Sequence, residues 1–170
     1  MANIDTIVTL FETVAAAMRV NDNTLPVSSI VAPTFIYNRV SAVNENVSKT
    51  YPAILLDSQP NINRKSSTTT FLPKQNCYEF KLFVYDQYNF GQQTVQDLSN
   101  KQAKVETILN QYIAEVQRRA LTTTNGIEVE NIKTIDGFLA KDVHNSKLVQ
   151  AYYKVKVCVN SDCVLGTFVY

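Results

Sequence analysis

The one side chain suited to carrying protons near neutral pH is His144, in the run Lys141-Asp142-Val143-His144-Asn145. Nucleophilic catalysis would need an oriented third group that the sequence does not announce, so His144 reads as a surface-loop residue. Cys158 and Cys163 bracket Val159-Asn160-Ser161-Asp162. A zinc site needs four ligands, and Cys77 with His144 would complete the set only by spatial coincidence, so no metal is expected. Asp136 and Asp142 form a conceivable acid-base pair, yet both lie in turn-like sequence where Asp satisfies its own backbone. The four glycines, Gly91, Gly126, Gly137 and Gly166, make neither a Gly-x-Gly-x-x-Gly turn nor a Walker loop. No nucleophile elbow is present. The chain is therefore read as a non-enzyme without a cofactor.

Charge narrows the partners further. Lys+Arg 16 against Asp+Glu 15 over 170 residues leaves no global field to collect a polyanion or an anionic membrane. The pair Arg64-Lys65 with Lys74 is a small basic cluster, weak in one copy and a collar if copies form a ring. Three cysteines leave an odd thiol, which argues against a secreted disulfide framework and suits buried or half-buried thiols in reducing cytoplasm. The apolar N-terminus lacks a basic n-region and carries Asp5 and Glu12, so it is not read as a targeting segment. No stretch reaches the ~18 apolar residues of a membrane span.

The elements that must carry these residues follow from periodicity. Ile4, Ile7, Val8, Phe11, Val14, Ala15 and Met18 recur at steps of three and four and predict a helix, with Asn3 as N-cap and a stop near Asn21. Ile30 to Val40 reads as a strand whose Pro33 indicates an edge or a bulge, and Tyr51 to Asp57 as a short strand opened by Pro52. Residues 58–76 are polar and read as a long, exposed, mobile connection. Cys77 to Tyr85 alternates, with Tyr78, Phe80, Leu82 and Val84 on one face and Glu79, Lys81, Phe83 and Tyr85 on the other.

Thr94 with Asp97 predicts a capping box ahead of a long amphipathic helix, striped by Val95, Leu98, Val105, Ile108, Leu109, Tyr112, Ile113 and Val116. Arg118 and Arg119 are placed to complement its carbonyl end. Ile127 to Ile135 and Lys147 to Val159 read as two strands joined by a link holding Asp136-Gly137 and His144. On the second of these, Val149, Ala151, Tyr153, Val155, Val157 and Val159 are expected in the core. Gln150, Tyr152, Lys154, Lys156 and Cys158 are expected on a wet face. Val164 to Tyr170 is an uncharged apolar tail. The prediction is one α+β domain over residues 1–170, a mostly antiparallel β-sheet packed on an N-terminal and a long central helix, with an exposed loop and a C-terminal arm at 160–170. A helix of ~26 residues is ~39 Å long and a ~13-residue strand reaches ~44 Å, against a radius of gyration of ~15 Å. The ends of these elements are expected to find support outside the globule.

This order of parts resembles the tail-terminator and tail-completion proteins of tailed bacteriophages, with the related ring proteins of the neck. The residues that carry the resemblance are the Ile4 to Val20 helix, the Tyr51-Pro52-Ala53-Ile54-Leu55-Leu56 strand, the exposed connection, the Tyr78 to Tyr85 strand, the Thr94 to Arg119 helix and the closing strand pair. The resemblance implies a structural virion protein, made in the host bacterial cytoplasm. It would form a six-fold or twelve-fold ring that joins portal, connector or tail rings. It places Arg64, Lys65 and Lys74 toward the lumen or a neighbouring ring, with room for non-specific contact with DNA there, and no membrane partner. Val164, Leu165, Phe168, Val169 and Tyr170 would anchor the subunit contact. Two alternatives stand beside it: a small α+β ligand-binding module or enzyme with a pocket lined by Tyr112 and Tyr153, and a cellular adaptor subunit that pairs strands with a partner.

Overall fold

The computed structural model describes residues 4–21, 30–39, 51–66, 73–87, 94–122, 129–143 and 148–160. Helix α1, Ile4–Ala17, buries Ile7, Phe11, Val14 and Ala15 of the predicted stripe together with Leu10, while Ile4, Val8 and Met18 are half-buried against the same core. It stops four residues before Asn21. The Arg19 guanidinium turns back and donates to the carbonyls of Ala16 at 2.9 Å and Met18 at 2.8 Å, giving partners to groups that a helix end leaves open.

The predicted Ile30 to Val40 strand is split at Ala32-Pro33. β1, Val20–Asn21, pairs antiparallel with β2, Ile30–Val31, and β3, Thr34–Asn38, joins the main sheet at its edge. The main sheet has six strands. β4, Ala53–Asp57, runs parallel to β3 and antiparallel to β6, Pro73–Gln87; β8, Leu148–Asn160, and β7, Val129–Val143, continue the sheet in antiparallel fashion. β5, Asn61–Ser66, also pairs with β6. β4 takes Leu82 to Tyr85 and β5 takes Pro73 to Glu79, so these two strands share one side of β6. The α+β prediction and the mostly antiparallel sheet hold, with β3–β4 the one parallel pair among the described strands.

Helix α2, Val95–Thr122, opens with the expected capping box. The Asp97 amide donates to Thr94 Oγ1 at 3.2 Å, and the Thr94 amide donates to Asp97 Oδ2 at 2.7 Å. The Thr94 amide, and after it the Thr94 hydroxyl, which donates to the same Oδ2 at 2.8 Å, hold the Asp97 carboxyl below its ordinary pKa. Asp86, near the end of β6, meets Lys104 and Lys101 of α2, while Asn110 meets Tyr153, the register partner of Leu82. The helix therefore runs back along β6. Both helices pack on one face of the sheet, where Phe11, Ile54, Phe80, Leu82, Leu109, Tyr112 and Val155 share one core.

Several expectations are corrected. The exposed connection at 58–76 is largely strand, because β5 and the start of β6 occupy Asn61–Ser66 and Pro73 onward; residues 67–72 lie outside the described residues. Asp136-Gly137 lies within β7, which absorbs it through register shifts rather than ending there. Val95 is 86% exposed, since it sits at the first helical position, beyond the face that α2 turns to the sheet. Cys77 and Cys158 are not free thiols: they are register partners on β6 and β8 and form a disulfide, with 4.0 Å between their Cα atoms. The wet face assigned to β8 is closed at Gln150, Tyr152 and Cys158, all buried. Arg118 and Arg119 also bind Glu115, while Arg119 stands in the last turn of α2 as expected. His144, Cys163 and Asn3 lie outside the described residues, as does the tail with Val164, Leu165, Phe168, Val169 and Tyr170.

Candidate functional site

The tyrosines proposed as pocket lining serve the core. Tyr112 is fully buried and its hydroxyl donates to the Phe11 carbonyl at 2.7 Å, tying α2 to α1. Its ring meets Phe11 edge-on at a centroid distance of 5.9 Å, and burial pushes its phenol well above the ordinary value. Tyr153 donates to Asn110 Oδ1 at 2.6 Å, tying the sheet to α2. These hydroxyls join elements to one another.

The functional candidates are the edges of the sheet and the face turned away from the helices. β3 pairs only with β4 among the described strands, in unbroken register from Thr34 to Asn38. Its outer side is a regular row of backbone donors and acceptors, which is what an added strand requires. Tyr37 on this strand is 38% exposed. Partial burial first, then the carboxylates of Asp5 and Asp57, push its phenol upward. The opposite edge is built differently. β7 shifts register between Val129 and Asn131, Thr134 and Asp136, and Lys141 and Val143. Such irregularities twist an edge away from further pairing. Among the described strands the sheet thus has a regular edge at β3, a further edge at β5, which pairs with β6 alone, and a blunted edge at β7.

On the face away from the helices, β6 and β8 carry a gradient. At one end Ala53, Leu55, Phe83, Tyr85, Leu148 and Tyr152 form a second buried cluster, with Ile36 of β3. Phe83 stacks on Tyr85 at 5.7 Å and lies 4.8 Å from the Tyr152 ring. Burial, then Asp57 and Tyr51, raise the Tyr85 phenol. Further along, Lys81 stands opposite Lys154 and Glu79 opposite Lys156, and beyond them lies the Cys77–Cys158 disulfide. A cavity of about 140 Å³ opens among Gln59, Asn61, Glu79, Lys81 and Lys154, with Phe80 at its wall. The backbone of Arg64 and Lys65 lies on β5 opposite Asn76 and Gln75, and that of Lys74 on β6, so the predicted basic cluster belongs to one hairpin next to this cavity.

Sequence reasoning placed Lys81 on the correct face but had no means to bring Lys154 beside it; only strand register does that. Asp86 was also missed. Buried on the helix face, it accepts from Lys104 at 3.0 Å and lies 3.7 Å from Lys101, a pairing that keeps a buried carboxylate compensated. Among the described residues no group of His, Cys, Asp and Glu is arranged to hold a metal ion, and no helix is long and apolar enough to cross a membrane. No protein-family model matches the sequence, and no curated protein matches it.

Proposed function

We propose that this chain is a structural ring protein of the neck or tail of a tailed bacteriophage, acting in the virion by joining identical protomers side by side and the ring to adjacent portal, connector or tail rings. The observation that supports this reading best is the asymmetry of the sheet edges. Among the described strands β3 pairs on one side alone and in regular register, and β7 is blunted by three register shifts. A ring needs a heterologous contact in which one surface of a protomer meets a different surface of the next. A regular acceptor edge at β3 with a separate donor segment meets that requirement, whereas equivalent edges at the two ends of the sheet favour fibres or sheets. The donor in this proposal is the tail, with Val164, Leu165, Phe168, Val169 and Tyr170 as apolar anchors. The strand it adds would satisfy the β3 ladder without special side chains.

Two variants test this. Deletion of residues 164–170 removes the donor. Tyr37→Lys places a charge on the acceptor edge at a position 38% exposed, where the protomer is expected to keep its fold. Each is expected to shift the particle to protomers in sedimentation while the melting transition of the protomer persists. Unchanged assembly in both variants refutes the strand-addition contact.

A further inference from the structure

We infer that residues 95–104 of α2 form a flap that lifts from the sheet as a unit, hinged at Val105 and latched by Asp86. The helix is built in two parts. Every side chain that it buries stands at Val105 or beyond, as far as Ala120, and none of its first ten residues is buried. The later part is also tied by polar bonds, from the Tyr112 hydroxyl to the Phe11 carbonyl and from the Tyr153 hydroxyl to Asn110. In the first part Leu98 packs half-buried against the main core, and Lys104 and Lys101 pair with Asp86 at 3.0 Å and 3.7 Å. This segment carries bonds of its own as well. The Thr94–Asp97 box and the bond from Gln96 Nε2 to Asn100 Oδ1 at 3.1 Å are local, so they stay made when the segment moves.

The latch is made of charge and not of apolar area, and that sets how the flap opens. Closed, the buried carboxylate of Asp86 accepts from Lys104 at Oδ2 and from the Gln87 amide at Oδ1, the latter at 2.9 Å, so its charge is compensated. In a pair of this kind the attraction is largely cancelled by the hydration that the charges have given up. Lifting the flap breaks the pairs, but it returns both ammonium groups to water and opens Asp86 to it. Lifting the rest of α2 would instead strip the main core, where each buried Val, Ile or Leu resists in proportion to its apolar area. One helix is thereby divided into a stable unit and a labile one. Asp86 also fixes where the flap closes, because a buried carboxylate that misses its lysines is left uncompensated. The device belongs to a single protomer, so it stands or falls apart from ring formation.

Hydrogen–deuterium exchange of the full-length protein, read by mass spectrometry in rising urea below the unfolding transition, tests this. Amides at 99–104 are expected to exchange about a hundredfold faster than those at 108–120. Their rate should scarcely depend on urea, since a lifted flap exposes little new surface. Val116→Ala separates a flap from a whole-helix opening. It is expected to speed exchange at 108–120 about tenfold, through lost core burial, and to leave 99–104 unmoved. Asp86→Asn keeps the shape of the side chain, removes its charge and is expected to speed 99–104 about tenfold. Lys104→Gln, which leaves β6 untouched, is expected to act in the same direction. Exchange at 99–104 that follows the urea dependence of 108–120, or that Val116→Ala also speeds, would mean that α2 opens as one rod and would overturn the flap. Exchange at 99–104 that neither Asp86→Asn nor Lys104→Gln moves would overturn the latch.

Discussion

The two faces of the main sheet are made by the same strands and differ in almost every physical respect. On the helix face Phe80, Leu82 and Val84 of β6 meet Val149, Ala151, Val155 and Val157 of β8 beneath both helices, and the face is buried but for the half-buried Asn76, Tyr78 and Tyr153. On the other face the character changes along the strands, from the aromatic cluster of Phe83, Tyr85 and Tyr152 to the charged stretch of Glu79, Lys81 and Lys154 and then the disulfide. A face of one character along its length is closed by the chain's own helices. The face that changes character is buried at its aromatic end and more open along the charged stretch, where Lys81 is exposed.

Truncation gives the largest expected effects and the sharpest way to break this comparison. Phe80→Ala on the helix face should cost about 3–5 kcal/mol in denaturant unfolding, whereas Lys81→Ala, one residue away on the polar stretch of the other face, should stay within about 0.5 kcal/mol. Equal effects would abolish the distinction. Next in size is the disulfide. It closes a loop of sequence separation 81, and its loss in a Cys77→Ser/Cys158→Ser protein should reduce stability by about 2–4 kcal/mol through the freedom returned to the unfolded chain. An unchanged melting temperature would mean that β6 and β8 hold that end without it.

Tyr112→Phe should cost about 1–2 kcal/mol, because the buried Phe11 carbonyl loses its donor while the ring packing is kept. The same phenol sets an alkaline limit. Its folded pKa lies well above the ordinary 10.0, so its contribution is fully present below that value and is lost as pH rises beyond it. Tyr112→Phe should flatten the alkaline fall in melting temperature.

The smallest expected effect is at the surface. Bonds from Arg118 and Arg119 pull the Glu115 carboxyl from 4.5 down to about 2. Its contribution is present above the ordinary value and lost as pH falls toward about 2, so a carboxyl titration by NMR should find Glu115 the laggard among exposed glutamates. A midpoint near 4.5 would dissolve the clamp.

The helix face was legible because period and burial coincide there. The stripe of α1 and the Val105 to Val116 stripe of α2 follow from steps of three and four, and the Thr94–Asp97 box marks the start of α2. Both faces of β6 were read correctly, since alternation assigns residues to sides. Alternation does not say which side is covered, and so Gln150, Tyr152 and Cys158 were placed in water when they are buried. β5 was missed because Asn61-Ile62-Asn63-Arg64-Lys65-Ser66 has no apolar period of its own and is a strand by virtue of its partner β6. Cys77 with Cys158, and Lys81 with Lys154, are pairs made by register between segments far apart in sequence, which local pattern does not encode.

The most direct test of the proposed function is the native mass of the purified full-length chain, measured by mass spectrometry and checked by electron microscopy. Closed rings of fixed copy number, six or twelve, are the predicted result, with the protomer released by Tyr37→Lys. A particle of 19.1 kDa at every concentration, alone and mixed with portal and tail components, would contradict the account.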